Sequence, residues 1–312
     1  MKTAWIILFF SCNPRTTEEV VSKKDVAKTP IFIDLDGQNW RFPISSLDSK
    51  NQPKKDSILG MANTTYLNGE YRKAIEQLLP YVKKKPQSAA AHALISACFF
   101  RLNDLQQAEK AANHAIEYDP SVVSYSNLGS ILAGRGKTVA AIASYEKARA
   151  LDPKHFLPIR NLVTLYYNQR DLINAENLLY ELIKIDPLDS YGYVSLGQVL
   201  VEQNRWKDAE EVYRFRLMDL KTAPRSERRL AGGMMLDLPL ALANVLLHQK
   251  RYQEAEKYFL QTITLCDTAQ STWTAANTYK LNAYVGLVKI YMAIDEKEKE
   301  AHFRSLYKSL RQ

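Results

Sequence analysis

Few residues in this chain of 312 have the types and spacing that catalysis needs. Gly134-Arg135-Gly136-Lys137-Thr138 reads like the end of a phosphate-binding loop. That loop needs a glycine at the position held by Ile131 and a strand leading in, and here the pattern leading in is helical. His92, His114, His155, His248 and His302 are scattered, with no second histidine or carboxylate at zinc-site spacing. Cys98 and Cys266 fall far apart in the chain, which argues for two structural thiols rather than a bridge. Asp34 and Asp36 lie in IFIDLDGQNWRFPI, residues 31–44, where alternation on both sides of Asp36-Gly37 predicts a small hairpin. An isolated hairpin is marginal in water, so this one would have to dock. No nucleophile–base arrangement emerges. The sequence therefore predicts no enzyme, no cofactor and no metal.

The elements that would carry a binding surface are clearer. Ala74, Ala108, Ala141, Ala175 and Ala209 recur at steps of 34, 33, 34 and 34, and Pro86, Pro120, Pro153 and Pro187 keep the same register. Residues 122–155 show the unit: a helix, a glycine turn at Gly136, a second helix, and a proline stop. Leu128, Gly129, Leu132, Ala141, Tyr145 and Ala148 sit at fixed offsets within it. This pattern resembles the tetratricopeptide repeat. The resemblance runs from about Lys55 to the C-terminus and implies an all-α helix-turn-helix solenoid with about six repeats and C-terminal capping helices. Scarce glycine (11) and abundant tyrosine (18) suit stacked helices.

The expected organisation follows from that period. Residues 1–11 form a signal-like segment and 12–54 a polar tether containing the hairpin. Repeats one to five occupy 55–220, and 221–235 is an irregular basic connection with Pro224 and Gly232-Gly233. Residues 236–312 hold a sixth repeat followed by a degenerate repeat or cap. In the sixth, Pro239 falls near the helix start, where proline is tolerated. Helices Trp273–Ile294 and Glu296–Leu310 would close the array, with Phe303 and Leu306 facing the core.

The resemblance also implies a site. In that family the first helix of each repeat lines a concave groove, and the polar residue before the Leu-Gly pair contacts an extended peptide backbone. Asn127 and Asn161 hold that position, 34 residues apart. An amide offers donors and an acceptor together, as a peptide unit requires. Ser126, Ser130, Arg160, Thr164, Tyr167, Asn168, Tyr191 and Gln198 project from the same helical face, as ligand contacts or simply as solvated residues. The Lys/Asn arrangement that clamps a terminal carboxylate in some members is missing, since Ser195 and Ala241 stand at the later Asn positions.

Other readings concern location and partners. Net charge is +8, with the densest clusters at Lys83-Lys84-Lys85 and at Arg225, Arg228 and Arg229. The lysines close a helix, where cations favour the dipole, so a basic solvated surface is expected rather than a nucleic-acid interface. Met1–Ser11 carries Lys2 and a seven-residue apolar run, too short to span a bilayer. Phe9-Phe10-Ser11-Cys12 resembles a bacterial lipobox, with Phe replacing the usual upstream residues; it implies cleavage before Cys12 and lipidation. The partner expected is a protein or peptide, with membrane contact through the lipid and no small-molecule substrate. The expected location is the bacterial envelope, at the outer membrane facing the periplasm, or else the cytoplasm if Cys12 is unprocessed. Asp34 and Asp36 resemble the nucleophile and acid–base pair of haloacid-dehalogenase-like phosphatases. That fold needs a parallel sheet and downstream motifs, and helical repeats fill the chain after Lys55.

Overall fold

Proline dictates where the repeats break. Proline disfavours the helical conformation of the residue before it. Lys85, Asp119, Asp152 and Asp186, each preceding a repeat proline, close their helices with φ between −148° and −132°. Short polar side chains then start the next helices. Asp104, Ser121, Asp171 and Asp189 each accept a backbone N–H of the first turn at 3.1–3.2 Å.

The computed structural model describes residues 58–222, 234–268 and 273–311. Among them the chain forms fourteen α-helices and no strand, packed in consecutive pairs, the all-α class expected. They are α1 (Ile58–Leu67), α2 (Tyr71–Lys84), α3 (Ala89–Arg101), α4 (Leu105–Tyr118), α5 (Val122–Gly134), α6 (Thr138–Leu151) and α7 (Phe156–Asn168). The chain continues with α8 (Leu172–Ile185), α9 (Ser190–Glu202), α10 (Trp206–Thr222), α11 (Met234–His248), α12 (Tyr252–Thr268), α13 (Trp273–Ala293) and α14 (Lys297–Arg311).

Every tight turn inside a helix pair contains one left-handed residue: Gly69, Asn103, Gly136, Arg170, Asn204, Lys250 and Asp295, with φ between 57° and 82°. Glycine adopts this conformation freely, whereas a side chain does so at a cost. The landmark alanines Ala74, Ala108, Ala141, Ala175, Ala209 and Ala255 are all fully buried. Each lies early in the second helix of its pair, and in the packed pairs α1/α2, α3/α4, α5/α6, α9/α10 and α11/α12 a larger side chain there would separate the helices.

The described residues divide at Gln169/Arg170 into two units. In the N-terminal unit, Leu59, Tyr66, Leu78, Leu94 and Cys98 form a core shared by α1, α2 and α3. α5 packs against both α6 and α7. The Tyr145 ring lies over Gly129, where an added Cβ would sit 2.5 Å from the ring, which explains the glycine of the Leu-Gly pair. In the C-terminal unit, α9 pairs with α10, α11 with α12 and α13 with α14, and α11 also packs against α9 and α13. Gly197 lies under Tyr213 as Gly129 lies under Tyr145.

Several boundaries depart from expectation. Lys221 and Thr222 end α10, and Met234 and Met235 open α11, so these four residues of the expected irregular connection are helical. Pro239 is the sixth residue of α11, deeper than the first turn. It therefore removes a helical hydrogen bond rather than an orphan N–H. Phe303 and Leu306 are half-buried and α14, which packs against α13, buries no residue fully. Cys12, the 12–54 tether, the 31–44 hairpin with Asp34 and Asp36, and residues 223–233 lie outside the described residues.

Candidate functional site

The loop-like Gly134–Thr138 segment has a structural role. Gly136 supplies the left-handed turn at φ 73°. Arg135 and Lys137 both bind the carboxylate of Glu109 on α4, Lys137 at 3.1 Å. Burial disfavours the Glu109 carboxylate, but hydrogen bonds from Lys137 and Arg135 outweigh it and hold the group below its usual range. The same device recurs in the C-terminal unit. Arg205 meets Glu176 at 2.7 Å, and Arg251 meets Glu210 at 2.7 Å. In each case a glutamate directly after a landmark alanine receives a cation from the next pair's turn. That Ala-Glu signal was present in the sequence and was missed.

The remaining polar candidates are absorbed locally. His92 lies beside His114 with ring centroids 5.2 Å apart and planes tilted by 36°, and His155 accepts the Leu157 N–H at the start of α7. Among the described residues no three His, Cys, Asp or Glu groups are arranged to hold a metal ion. Cys98 and Cys266 are buried free thiols, pushed by burial up to about 12 and about 11.

In the N-terminal unit, α5 carries Ser126, Asn127 and Ser130, and α7 carries Arg160, Asn161, Thr164, Tyr167 and Asn168. Because these two first helices pack together, the inner end of the set is covered. Ser126 is 1% exposed, Asn161 5% and Asn127 8%. The Ser126 Oγ and the Asn161 Nδ2 are buried with no hydrogen-bond partner. Ser130 is consumed by structure: its hydroxyl donates to the Ser126 carbonyl at 3.0 Å and lies 3.1 Å from the Tyr145 hydroxyl. Thr164 likewise donates to the Arg160 carbonyl at 3.0 Å. The Arg160 guanidinium lies 4.8 Å from the Phe156 ring centroid. Tyr167 is half-buried and Asn168 exposed. The face is thus a graded one, buried at the amides and open towards Asn168.

In the C-terminal unit the two expected contacts separate. Tyr191 is buried, whereas Gln198 lines a cavity of about 510 Å³ bounded by α9, α10, α11, α12 and α13. Its walls are mainly apolar, with Val194, Val201, Ala241, Leu247 and Met292 among them. Trp206 and His248, both in the lining, stack with ring centroids 3.5 Å apart and a 10° interplanar angle. Burial lowers the pKa of His248, and does the same to Lys289, which also lines the cavity. Asp237 is held by the Tyr279 hydroxyl at 2.6 Å. The sequence could not assemble this site, since the spacing jumps from 34 to 46 after Ala209.

The fold is that of a helical-repeat protein. Profiles described as tetratricopeptide repeat match residues 99–156 and 240–266, and the profile for subunit 3 of the anaphase-promoting complex (cyclosome) matches residues 46–115. The chain is 30% identical over 113 residues to the small glutamine-rich tetratricopeptide repeat-containing protein 2 of Saccharomyces cerevisiae. That match covers 36% of this chain and 33% of the yeast protein, so it spans about a third of that relative's length. Among solved structures, the C-terminal part of a tetratricopeptide repeat protein from Cytophaga hutchinsonii superposes with a TM-score of 0.60 at 17% identity, covering 81% of this chain and 95% of that one. PilW, a widely conserved type IV pilus biogenesis factor, gives 0.54 at 17% identity over 69% and 94%. These likenesses are likenesses of fold. Among the described residues no helix is long and apolar enough to cross a membrane.

Proposed function

We propose that the protein is a non-enzymatic adaptor that binds a segment of another protein along the first helices of its repeats. The observation that carries this reading is the buried Asn161 amide. Its Nδ2 is unpartnered, on a helix that packs against α5, the helix that carries Asn127. A buried donor left unmade costs about 1–3 kcal/mol, and a segment that parts the covering side chains and brings a carbonyl to it would recover part of that cost. The open end of the face, with Arg160, Tyr167 and Asn168, would hold the rest of such a segment. Repeat architectures are suited to this work because they offer rigid, extended surfaces.

The anchoring part of the proposal rests on Cys12 and its lipobox-like context, which would hold the adaptor in the bacterial envelope, at the outer membrane and facing the periplasm. The fold shared with a pilus biogenesis factor is compatible with a role in envelope assembly. The Phe9-Phe10 departure from the usual lipobox favours a second reading, a cytoplasmic adaptor with an intact N-terminus. Intact mass and detergent partitioning separate the two: an acylated chain beginning at Cys12 supports the first, and a soluble chain retaining Met1 overturns it.

Binding is tested with the double variant Asn127→Ala, Asn161→Ala. Capture of a partner should fall while the helical circular dichroism is kept. Undiminished capture would remove these amides from the site.

A further inference from the structure

Every helix pair after the first sets its opening helix against the closing helix of the pair before: α3 on α2, α5 on α4, α7 on α6, α9 on α8, α11 on α10 and α13 on α12. Eight residues before the left-handed turn residue, each opening helix carries an apolar side chain. Ile95, Leu162, Leu196, Leu242 and Leu287 are buried at that position and Leu128 is half-buried. In the first pair the same position is Met61, and it is 48% exposed. Eleven residues before the turn, Ile159 and Tyr193 are buried and His92 and Tyr125 half-buried, whereas Ile58 is 43% exposed. α1 packs against α2 and α3, both of which follow it in the chain. It therefore shows an open apolar edge at positions that later pairs cover. The chain ahead of α1 keeps the period. Pro53 lies 33 residues before Pro86, the step that separates Pro120 from Pro153. The place of a closing helix before α1 is thus about residues 38–51. Trp40, Ile44 and Leu47 keep the i, i+4, i+7 spacing of one helical face there. Pro43 would be its sixth residue, as Pro239 is of α11.

We propose that the segment Trp40–Leu47 of this same chain covers the α1 edge, laying Trp40, Ile44 and Leu47 over Ile58 and Met61 as the closing half of a preceding pair. The segment lies outside the described residues, and its sequence and its attachment choose it as the occupant. Ten residues separate Leu47 from Ile58. Extended, they reach about 33–36 Å, ample to return across a helix about 10 Å wide. An occupant on the same chain acts at a high effective concentration, so a small apolar contact holds it. A second copy or a separate partner would lose translational and rotational freedom for a contact centred on two side chains. Joining the two apolar surfaces removes both from water. Residues 40–44 then belong to the helical array rather than to the hairpin expected over 31–44. The proposal is independent of the peptide-binding reading above.

The test uses the full chain in two measurements. In the first, native-state hydrogen exchange is followed in α1. The double change Trp40→Ser, Leu47→Ser should speed exchange there by about tenfold or more, with α11 unchanged, and Met61→Asp should do the same. Both changes fall at positions open to water or outside the described residues, so an uncovered edge would not feel them. In the second, Leu47→Cys is combined with Met61→Cys in a chain carrying Cys12→Ser, which leaves the buried Cys98 and Cys266 as the native thiols. Mild oxidation at low protein concentration should join positions 47 and 61 within one chain, as read by peptide mass. A control pairs Leu47→Cys with Leu67→Cys, exposed on a different face of α1, and should oxidise more slowly. Exchange in α1 indifferent to either change would overturn the proposal. So would a 47–61 pair that oxidises no faster than the control. Disulfides formed between chains alone would give the edge to a second copy and overturn it as well.

Discussion

At the scale of single residues, the turns and their ion pairs carry most of what can be tested. Gly136 at φ 73° and Lys250 at φ 63° occupy equivalent turn positions, one in a conformation glycine enjoys and the other in one a side chain resists. Gly136→Ala should lower stability by about 1–2 kcal/mol, and Lys250→Gly should leave it unchanged or raise it slightly, since relief of strain opposes the entropy of a new glycine. Chemical denaturation of both variants checks the pair. Glu210 sits where Arg214 and Arg251 reach it at 2.7 Å, and Arg251 and Arg214 also bind Glu254. For Glu210, burial opposes ionisation but the hydrogen bonds win; for Glu254, the hydrogen bond from Arg251 dominates; both carboxyls are held below their usual range. A carboxyl depressed in the folded state stabilises above its unfolded pKa and loses that contribution as pH falls through the folded value. Melting temperature should therefore drop as pH goes from about 5 to about 3, and Glu210→Gln should flatten the drop. An unchanged acid limb in that variant would remove this cluster from the account.

At the scale of helices, the period of the sequence located nearly every element because one steric rule acts at one position. A buried alanine is needed wherever two helices cross closely, so Ala74 through Ala255 mark the second helices, and the prolines mark the ends of the first four repeats. Turns were less legible. Glycine announces the left-handed conformation at positions 69 and 136, and Asn103, Asn204 and Asp295 give the weaker signal of a short polar side chain, whereas Arg170 and Lys250 adopt it without a signature. The cap was legible as an amphipathic helix but not in its depth. α14 packs on α13 through Phe303, whose ring stacks on Tyr291 at 5.6 Å and lies 6.0 Å from Tyr284, and it buries no residue fully. Little apolar area holds it, so it should open first. Native-state hydrogen exchange should show α14 exchanging at lower opening free energy than α11, and Phe303→Ala should speed exchange in α14 before it affects α12. Equal protection of α14 and α11 would contradict this.

At the scale of the whole chain, the period of the sequence places the candidate residues on the first helices but does not tell how deeply each is buried. Asn127 and Asn161 were readable as a pair because they keep the period, but their burial depends on how α5 meets α7, which spacing does not encode. Gln198 was readable for the same reason, while its neighbours Trp206, Asn244 and Lys289 come together through contacts among α9, α10, α11 and α13 that cross the change of period. The central claim is that recognition uses the first helices of the repeats. It is tested most directly by giving a peptide selected from a random display library a photo-reactive benzoylphenylalanine and mapping its cross-links on the full chain. The account predicts saturable cross-links on α5, α7, α9, α11 or α13, competed by unlabelled peptide. Cross-links confined to the second helices, α4, α6, α8, α10 or α12, would contradict it.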